Sequence, residues 1–565
     1  MSKVKTNQPL TREMFTPVGS DRLMSDTKFD TKPIGYFRDA WNRFKKNKAS
    51  VVAFFIIALI VLFAIVTPLI SPYEMNEVDG YYKKCRPKLD ALAGSGFWDG
   101  GYFRSQESEK GYIYFMAMAF GALDVDGTGD VTWEEAEASE YNPIIEVLSV
   151  SEPKGIGPLK TVYRDMRMDS YLEIGFMNIE GITPEEYAKI QAWQEETGIQ
   201  VLYPLVDVND EKNMSSGNKG DAIAAANYWY CHNQRNQPLD ANGRVMTLER
   251  VMEEGLTPNY LYRDVWEYVY DENGQPVLDE KGNHLQQIAR DENGNKIQEL
   301  AYYRPMGSGG STYQIRVLYY NYYQYLNGHE VSHLFGTDAQ GYDILIRLAM
   351  GCRLSLILSV FVSLICLFLG SLYGAIEGYY GGAVDMIMER ITDVLSGVPF
   401  IVVTSLFKLH LIDTNKVGPL GGLLFAFVAT GWIGTSYMVR MQFYRFKRQE
   451  YILAARTLGA SDWRLMFRHI FPNALGTMIT SSVLVIPGVI FSETSLAYLG
   501  IINFNGADIT SLGTMLSNGQ SAGIQDYPHI LFFPAIILSL LMISFNLFGN
   551  GLRDAFNPNM RGVED

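Results

Sequence analysis

Residues 51–70, VVAFFIIALIVLFAIVTPLI, form an apolar run without a single charge. A helix rises about 1.5 Å per residue, so twenty such residues cross a hydrocarbon core of ~30 Å. The run lies too far along the chain to be a cleavable leader and is expected to stay as an anchor. A long polar interval follows, and then five more apolar stretches at 354–376, 391–409, 420–439, 474–499 and 530–548. The pattern predicts a mainly α polytopic membrane protein with six spans and one large hydrophilic block between the first two. Pro399 and Pro487-Gly488 fall inside apolar stretches and are expected to bend their helices.

Within the polar interval the periodicity changes. Thr183-Pro184-Glu185-Glu186 combines a cap, a first-turn proline and acidic residues, predicting a helix to Thr197 before Gly198. Residues 199–206 read as a strand, which Pro204 places at a sheet edge. One turn unit repeats at 271–274, 279–282 and 291–294 (DENG, DEKG, DENG), which predicts a meander of tight hairpins. The block is therefore expected to be an α+β domain with its own core.

Charge divides the chain along the same lines. Residues 71–335 carry 22 basic and 42 acidic side chains, whereas the rest of the chain carries 25 and 20. No concentrated basic surface exists, which disfavours nucleic-acid binding, and 13% aromatic residues disfavour disorder. Residues 1–50 hold 11 basic and 5 acidic side chains and 440–472 hold 7 and 2, while 501–527 hold only Asp508 and Asp526. The positive-inside tendency then places both termini and 440–472 in the cytoplasm, and 71–335 and 501–527 outside.

Residues 449–473, QEYILAARTLGASDWRLMFRHIFPN, are too polar to span yet have helical spacing. Residues 450–457 read as a short helix interrupted by Gly459. Ser461 is expected to cap a second helix, with Asp462 in its first turn and Pro472 at its end. Ala454, Ala455 and Gly459 allow close approach of another chain, and Arg456, Arg464 and Arg468 ring the apolar Leu458, Trp463, Leu465, Met466 and Phe467. Such a pair suits a groove on a partner protein or, equally, a position flat on lipid.

Ala454-Ala455, Gly459 and Pro472 match the spacing of the EAA loop of ABC importer permeases, which this segment resembles. Leu453 replaces that pattern's Glu, with Glu450 one turn earlier, and His469 and Phe471 stand at its Ile and Leu positions. Residues 335–356 resemble the motif that opens the second span of oligopeptide and dipeptide permeases, at Gly336, Thr337, Asp338, Gly341, Asp343, Arg347, Gly351, Arg353, Ser355 and Leu356, departing at Tyr342 and Ile346. ETSLAYLG (493–500, with Glu493 and Gly500) and NLFGNGLRDAFNP (546–558, with Arg553 and Asp554) are similar to two further motifs of that family.

The chain thus resembles the C-type permease subunit of an oligopeptide importer. The resemblance implies a six-helix type I ABC importer transmembrane domain in the plasma or inner membrane, built from 50–70 and 336–556. Cytoplasmic tails flank it at 1–49 and 557–565, and 71–335 is an extracellular insertion where relatives have a short loop. It further implies a homologous second permease, two cytoplasmic ATPases holding ATP and Mg2+, an external lipid-anchored or periplasmic binding protein, and a peptide substrate. Coupling to the ATPases is implied for Glu450, Ala454, Ala455, Arg456, Gly459, Ile470 and Pro472. No catalysis and no transport cofactor fall to this chain, which contains no G-x-x-x-x-G-K-[ST] phosphate loop. Glu493, near the outer end of the fifth span, reads either as a functional group or, preferably, as a carboxylate bonded between helices. Nickel chelates or a peptide pheromone are alternative cargoes, and a membrane-anchored external sensor is an alternative role.

Three features of the insertion carry separate expectations. Residues 124–135, DVDGTGDVTWEE, match an EF-hand calcium loop, with ligands at Asp124, Asp126, Thr128, the Asp130 carbonyl and Glu135 and with Gly129 at the turn. Cys85 and Cys231 share the block and could pair in an oxidising exterior. Eight tyrosines between 302 and 325 are read mainly as packing, with a binding surface or the membrane interface as the alternative.

Overall fold

The computed structural model describes residues 36–556, apart from 158–159, most of 207–242, 256–259, 272–273, 279–281, 283, 308 and 505–508. Helix α1 (Tyr36–Lys46) ends in Arg43, Lys45 and Lys46, where cations favour a helix C-terminus. Asn47 then caps α2 (Lys48–Ile70), its side chain accepting from the Ser50 amide. The Ser50 hydroxyl donates to the Leu547 carbonyl at 3.0 Å and fixes the first span against the last.

The insertion is α+β, as the pattern predicts. Strand β1 (Gly101–Ser108), α3 (Glu109–Leu123), α4 (Trp133–Ala138), β2 (Ile144–Val150) and β3 (Tyr163–Asp169) form its first part, in which β3 lies between β1 and β2. Helix α3 is apolar almost all round and buries Ile113, Met116, Ala119 and Phe120 against Met166, Met168 and Trp133. The second part holds β4 (Phe176–Ile182), α5 (Pro184–Thr197), β5 (Leu202–Tyr203), α6 (Leu248–Glu254), β6–β9 (Tyr262–Asp264, Trp266–Tyr268, Gln286–Ile288, Gln298–Leu300), β10 (Tyr303–Met306), β11 (Thr312–Leu318) and α7 (Tyr319–Asn327). Here β11 pairs with β10, β4 and β5, all antiparallel.

Local expectations hold where the chemistry is local. Thr183 caps α5 by accepting from the Glu186 amide, and Gly198 closes it at φ +73°. The strand expected over 199–206 shrinks to β5, because Pro204 has no N–H to donate; its carbonyl instead accepts from Arg316 at 3.1 Å. Backbone bonds between the described residues on either side of the three turns form the expected meander. Its rungs run Val269–Val277–Leu285 and Val265–Ala289–Ile297, with Gly274, Gly282 and Gly294 in the left-handed region. Of the tyrosine run, Tyr319, Tyr322 and Tyr323 are buried in a core with Tyr82, Tyr171, Ile315 and Val317, so packing is their role in the fold.

The bundle contains α8 (Ile344–Tyr380), α9 (Gly382–Ser396), α10 (Phe400–Phe407), α11 (Pro419–Thr430), α12 (Ile433–Phe446), α13 (Glu450–Thr457), α14 (Phe471–Tyr498), α15 (Leu512–Ala522) and α16 (Pro528–Phe556). Among the described residues five helices are long and apolar enough to cross a membrane, and a sixth crossing requires α9 and α10 to act as one span bent by 74°. The stretch expected to form the third span, 391–409, falls within this pair, and the chain bends at Gly397-Val398-Pro399, as Pro399 predicts. Arg440 of α12 holds α9 in place through Asp385 (2.7 Å) and Glu389 (2.9 Å), and reaches Glu377 of α8 at 3.4 Å.

Helices α8 and α12 pack backbone to backbone along Gly370, Gly374 and Gly378, a small-residue stripe of the kind that draws membrane helices together. A Cβ on Gly374 would lie 2.2 Å from the Ser436 carbonyl, whereas one on Gly434 would meet open space. Gly374→Ala is expected to cost about 1–3 kcal/mol, seen as a lower melting temperature of the detergent-solubilised chain, while Gly434→Ala leaves melting unchanged.

Candidate functional site

Residues 447–472 cap one end of the bundle. The Lys447 ammonium donates to the Gly378 carbonyl at 2.7 Å, so the turn out of α12 is tied to the end of α8. Ile452, Leu465, Met466 and Ile470 are buried against Val439, Phe443, Ala474 and Met478. This anchored face leaves the other face bare: Tyr451, Leu453, Leu458 and Trp463 are exposed, Leu458 at 88% and Trp463 at 63%. Ala454 and Arg456 are also exposed, and Ala455 is half-buried. Gly459 stands at φ +85° with open space around it, making the turn between the two segments. Arg456 donates to the Tyr379 hydroxyl at 3.2 Å, and that hydroxyl donates to Asp462. Both halves of the loop are thereby fastened to the last turn of α8.

Two expectations are corrected here. Ser461 occupies the cap position but makes no side-chain cap bond. Pro472 does not end the second helix: the chain passes through a π-helical stretch, Leu465–Ile470, straight into α14, and 462–498 is one continuous helical unit. The Phe471 amide bonds to the Met466 carbonyl, five residues back. That wider turn gives the proline ring, which would clash with the carbonyl of an ordinary α-turn, a place in the helix.

At the opposite end of α8 lies a junction formed by the 336–347 motif. The Thr337 hydroxyl donates to the Tyr82 carbonyl (2.7 Å) and accepts from the Cys85 amide (2.8 Å). Gly336, at φ +76°, lies so close to the Cys85 carbonyl that a Cβ would approach it to 2.3 Å. Asp338 accepts from the amides of Gln340, Gly341 and Tyr342, and burial raises its carboxyl above the usual carboxylate range in spite of them. Asp343 caps α8 through the Ile346 amide and takes a 2.8 Å contact from His333. Arg347 is buried over the Tyr342 ring. The Lys88 amide donates to the His333 carbonyl at 2.9 Å, so the chain leaves for the insertion and returns from it at one point. Trp98 seats the insertion on the bundle by packing on Phe533 and donating to the Leu334 carbonyl.

The remaining motif residues scatter. Glu493 is buried and accepts from Ser355 of α8 at 3.0 Å, a bond between helices. Gly500 closes α14 in the left-handed region. Arg553 and Asp554 are exposed at the end of α16. Cys85 is a free, buried thiol that donates to the Ser170 carbonyl; Cys231 lies outside the described residues. Two features lie outside the motifs read from the sequence: the Gly370–Gly374–Gly378 stripe, legible as glycines four apart, and the Arg440 cluster with Glu377, Asp385 and Glu389.

The calcium motif folds as helix–loop–helix, with Gly127 and Gly129 in the left-handed region. Asp124 accepts from the Gly129 amide at 3.1 Å, and Asp126 accepts from the Thr128 amide and hydroxyl. Glu135 is not with them. It folds back onto the Thr132 amide at 2.8 Å in a capping box at the start of α4. Among the described residues no three His, Cys, Asp or Glu side chains are gathered as a metal site, so the five expected ligands are not assembled.

Residues 366–562 match the family described as binding-protein-dependent transport system inner membrane component, and residues 35–87 match the N-terminal TM domain of oligopeptide transport permease C. The second match ends one residue before Lys88, where the insertion departs. The chain is similar to the oligopeptide transport system permease protein OppC of Bacillus subtilis, with 42% identity over 40% of this chain and 72% of that protein. It is 38% identical to the dipeptide transport system permease protein DppC of the same organism, over 40% and 69%, and 37% identical to OppC of Haemophilus influenzae, over 40% and 71%. Among solved structures, the inward-facing MetNI methionine ABC transporter matches 37% of this chain and 96% of its own at 12% identity and a TM-score of 0.31.

Thr337→Val keeps the shape of the junction but strands the Tyr82 carbonyl and the Cys85 amide. It is expected to cost about 1–3 kcal/mol, read as lowered thermal stability of the solubilised chain, with Gln340→Ala, an exposed side chain, as the silent control.

Proposed function

Because the chain belongs to the binding-protein-dependent transport system inner membrane components, in their oligopeptide permease C branch, we propose that it is one of two permease subunits of an ATP-driven peptide importer. It forms half of the translocation pathway, with both termini and the 449–472 loop in the cytoplasm and the insertion outside. ATP and Mg2+ belong to two ATPase partners, and peptide arrives on an external binding protein.

One observation carries this reading. The exposed apolar face around Leu458 and Trp463 is mounted on segments that are themselves fastened to α8 and continuous with α14. A partner gripping that face displaces two spans at once, because packed helices transmit movement rather than absorb it. A flat position on lipid would not require this anchoring. The position of the insertion agrees, since α8 has 37 residues and separates junction from loop by roughly 55 Å. Outside, the insertion is placed to dock the binding protein or to contact the second permease.

Leu458→Asp and Trp463→Asp alter exposed side chains, so melting should be unchanged. Co-purification of the ATPases and peptide uptake in membrane vesicles should both fall at least about tenfold, the effect of losing roughly 1.4 kcal/mol at a contact. Undiminished association would remove the loop from the coupling role. Replacing 89–332 by a short linker should retain ATPase association and abolish uptake driven by the binding protein; normal uptake would dismiss the docking role of the insertion.

A further inference from the structure

The hairpin meander is an arm rooted in the loop between α3 and α4. Tyr260, at the start of the arm, donates to the Asp124 carbonyl at 2.9 Å, and Tyr302, at its end, donates to the Val125 carbonyl at 3.4 Å. Gly127 is pressed against the Tyr260 ring so closely that a Cβ would reach 2.4 Å. Both ends of the arm thus rest on the same few residues of the acidic loop.

That loop contains an uncompensated group. Asp124 is 3% exposed, and its Oδ1 is buried without a hydrogen-bond partner. The Asp126 carboxylate lies beside it, adding like charge. A carboxylate oxygen shut away from water with no donor is costly, and a cation removes both the lost solvation and the repulsion. The available donors are all oxygen: Asp124, Asp126, the Thr128 hydroxyl and the Asp130 carbonyl, a hard set without His or Cys that suits calcium. Glu135 can complete it by giving up one hydrogen bond to the Thr132 amide, while the Thr132 hydroxyl continues to cap α4 through the Glu135 amide at 3.2 Å.

We propose that residues 124–135 bind one calcium ion and that the ion clamps the root of the hairpin arm. The inference concerns the insertion alone and does not depend on the transport reading.

The test uses the full-length chain in detergent, stripped with chelator. Tb3+ is added, its emission sensitised through Trp133 is followed, and Ca2+ is then titrated in. Displacement is expected with a midpoint on the order of 0.1–1 mM, as in external calcium modules. Ca2+ should slow tryptic cleavage at the exposed Arg290 and Lys296 several-fold. Asp126→Asn and Glu135→Gln, both at exposed positions, should weaken binding about tenfold or more by removing ligand charge, with melting in chelator unchanged. No displaceable emission up to about 10 mM Ca2+, ten times the weakest of those affinities, overturns the site, as does equal affinity in both variants. Binding without protection of the arm overturns the clamp.

Discussion

The Thr337 hydroxyl, held between the Tyr82 carbonyl and the Cys85 amide, is the contact on which the two halves of this molecule depend. It lies in the seam where 79–88 meets 336–343, and the seam brings Lys88 and His333 within one hydrogen bond. A domain whose ends meet can be inserted without distorting its host. The first span can therefore take its place beside the others although more than 270 residues separate it from the second. Buried polar groups fix the geometry more strictly than apolar packing would, because each stranded donor or acceptor carries its own cost.

From that seam the architecture reads as one rod with a fitting at each end. Helix α8 begins at the Asp343 cap and carries in its last turn Tyr379, whose hydroxyl holds Arg456 and Asp462 of the loop. Glycines keep α12 tight along its length, and Glu493 ties α14 to it near the other end. The bent pair α9–α10 departs from this parallel arrangement, and Arg440 sets its direction. Movement at the loop is thus shared among α8, α12 and α14.

The sequence reveals most where the signal is local. Hydropathy finds five crossings, because twenty apolar residues have few other uses in a membrane protein. Caps at Thr183 and Gly198 and the Asp291–Gly294 turn fold as their residues require. The bend in the third span is announced by Pro399, whereas its direction depends on Arg440, more than 40 residues away, which pairs with Asp385 and Glu389. Pro472 reads as a helix end because no local code marks the π-turn that accommodates it. The residues of the 336–347 motif are legible by resemblance, but their purpose as a clasp depends on Tyr82 and Cys85, some 250 positions earlier. The calcium motif gave the right helix–loop–helix, while the rotamer of Glu135 was decided by a capping box that its own spacing also encodes.

Labelling from each side of the membrane tests whether the 449–472 loop and the insertion lie on opposite faces. Single cysteines would be placed at Leu458 and at Ile156, both 88% exposed, in a chain lacking its native cysteines. Each would be probed with an impermeant thiol reagent in right-side-out and inside-out vesicles. Position 458 is expected to react only in inside-out vesicles and position 156 only in right-side-out ones. Reaction of both from the same side, or the reverse pattern, would contradict that placement.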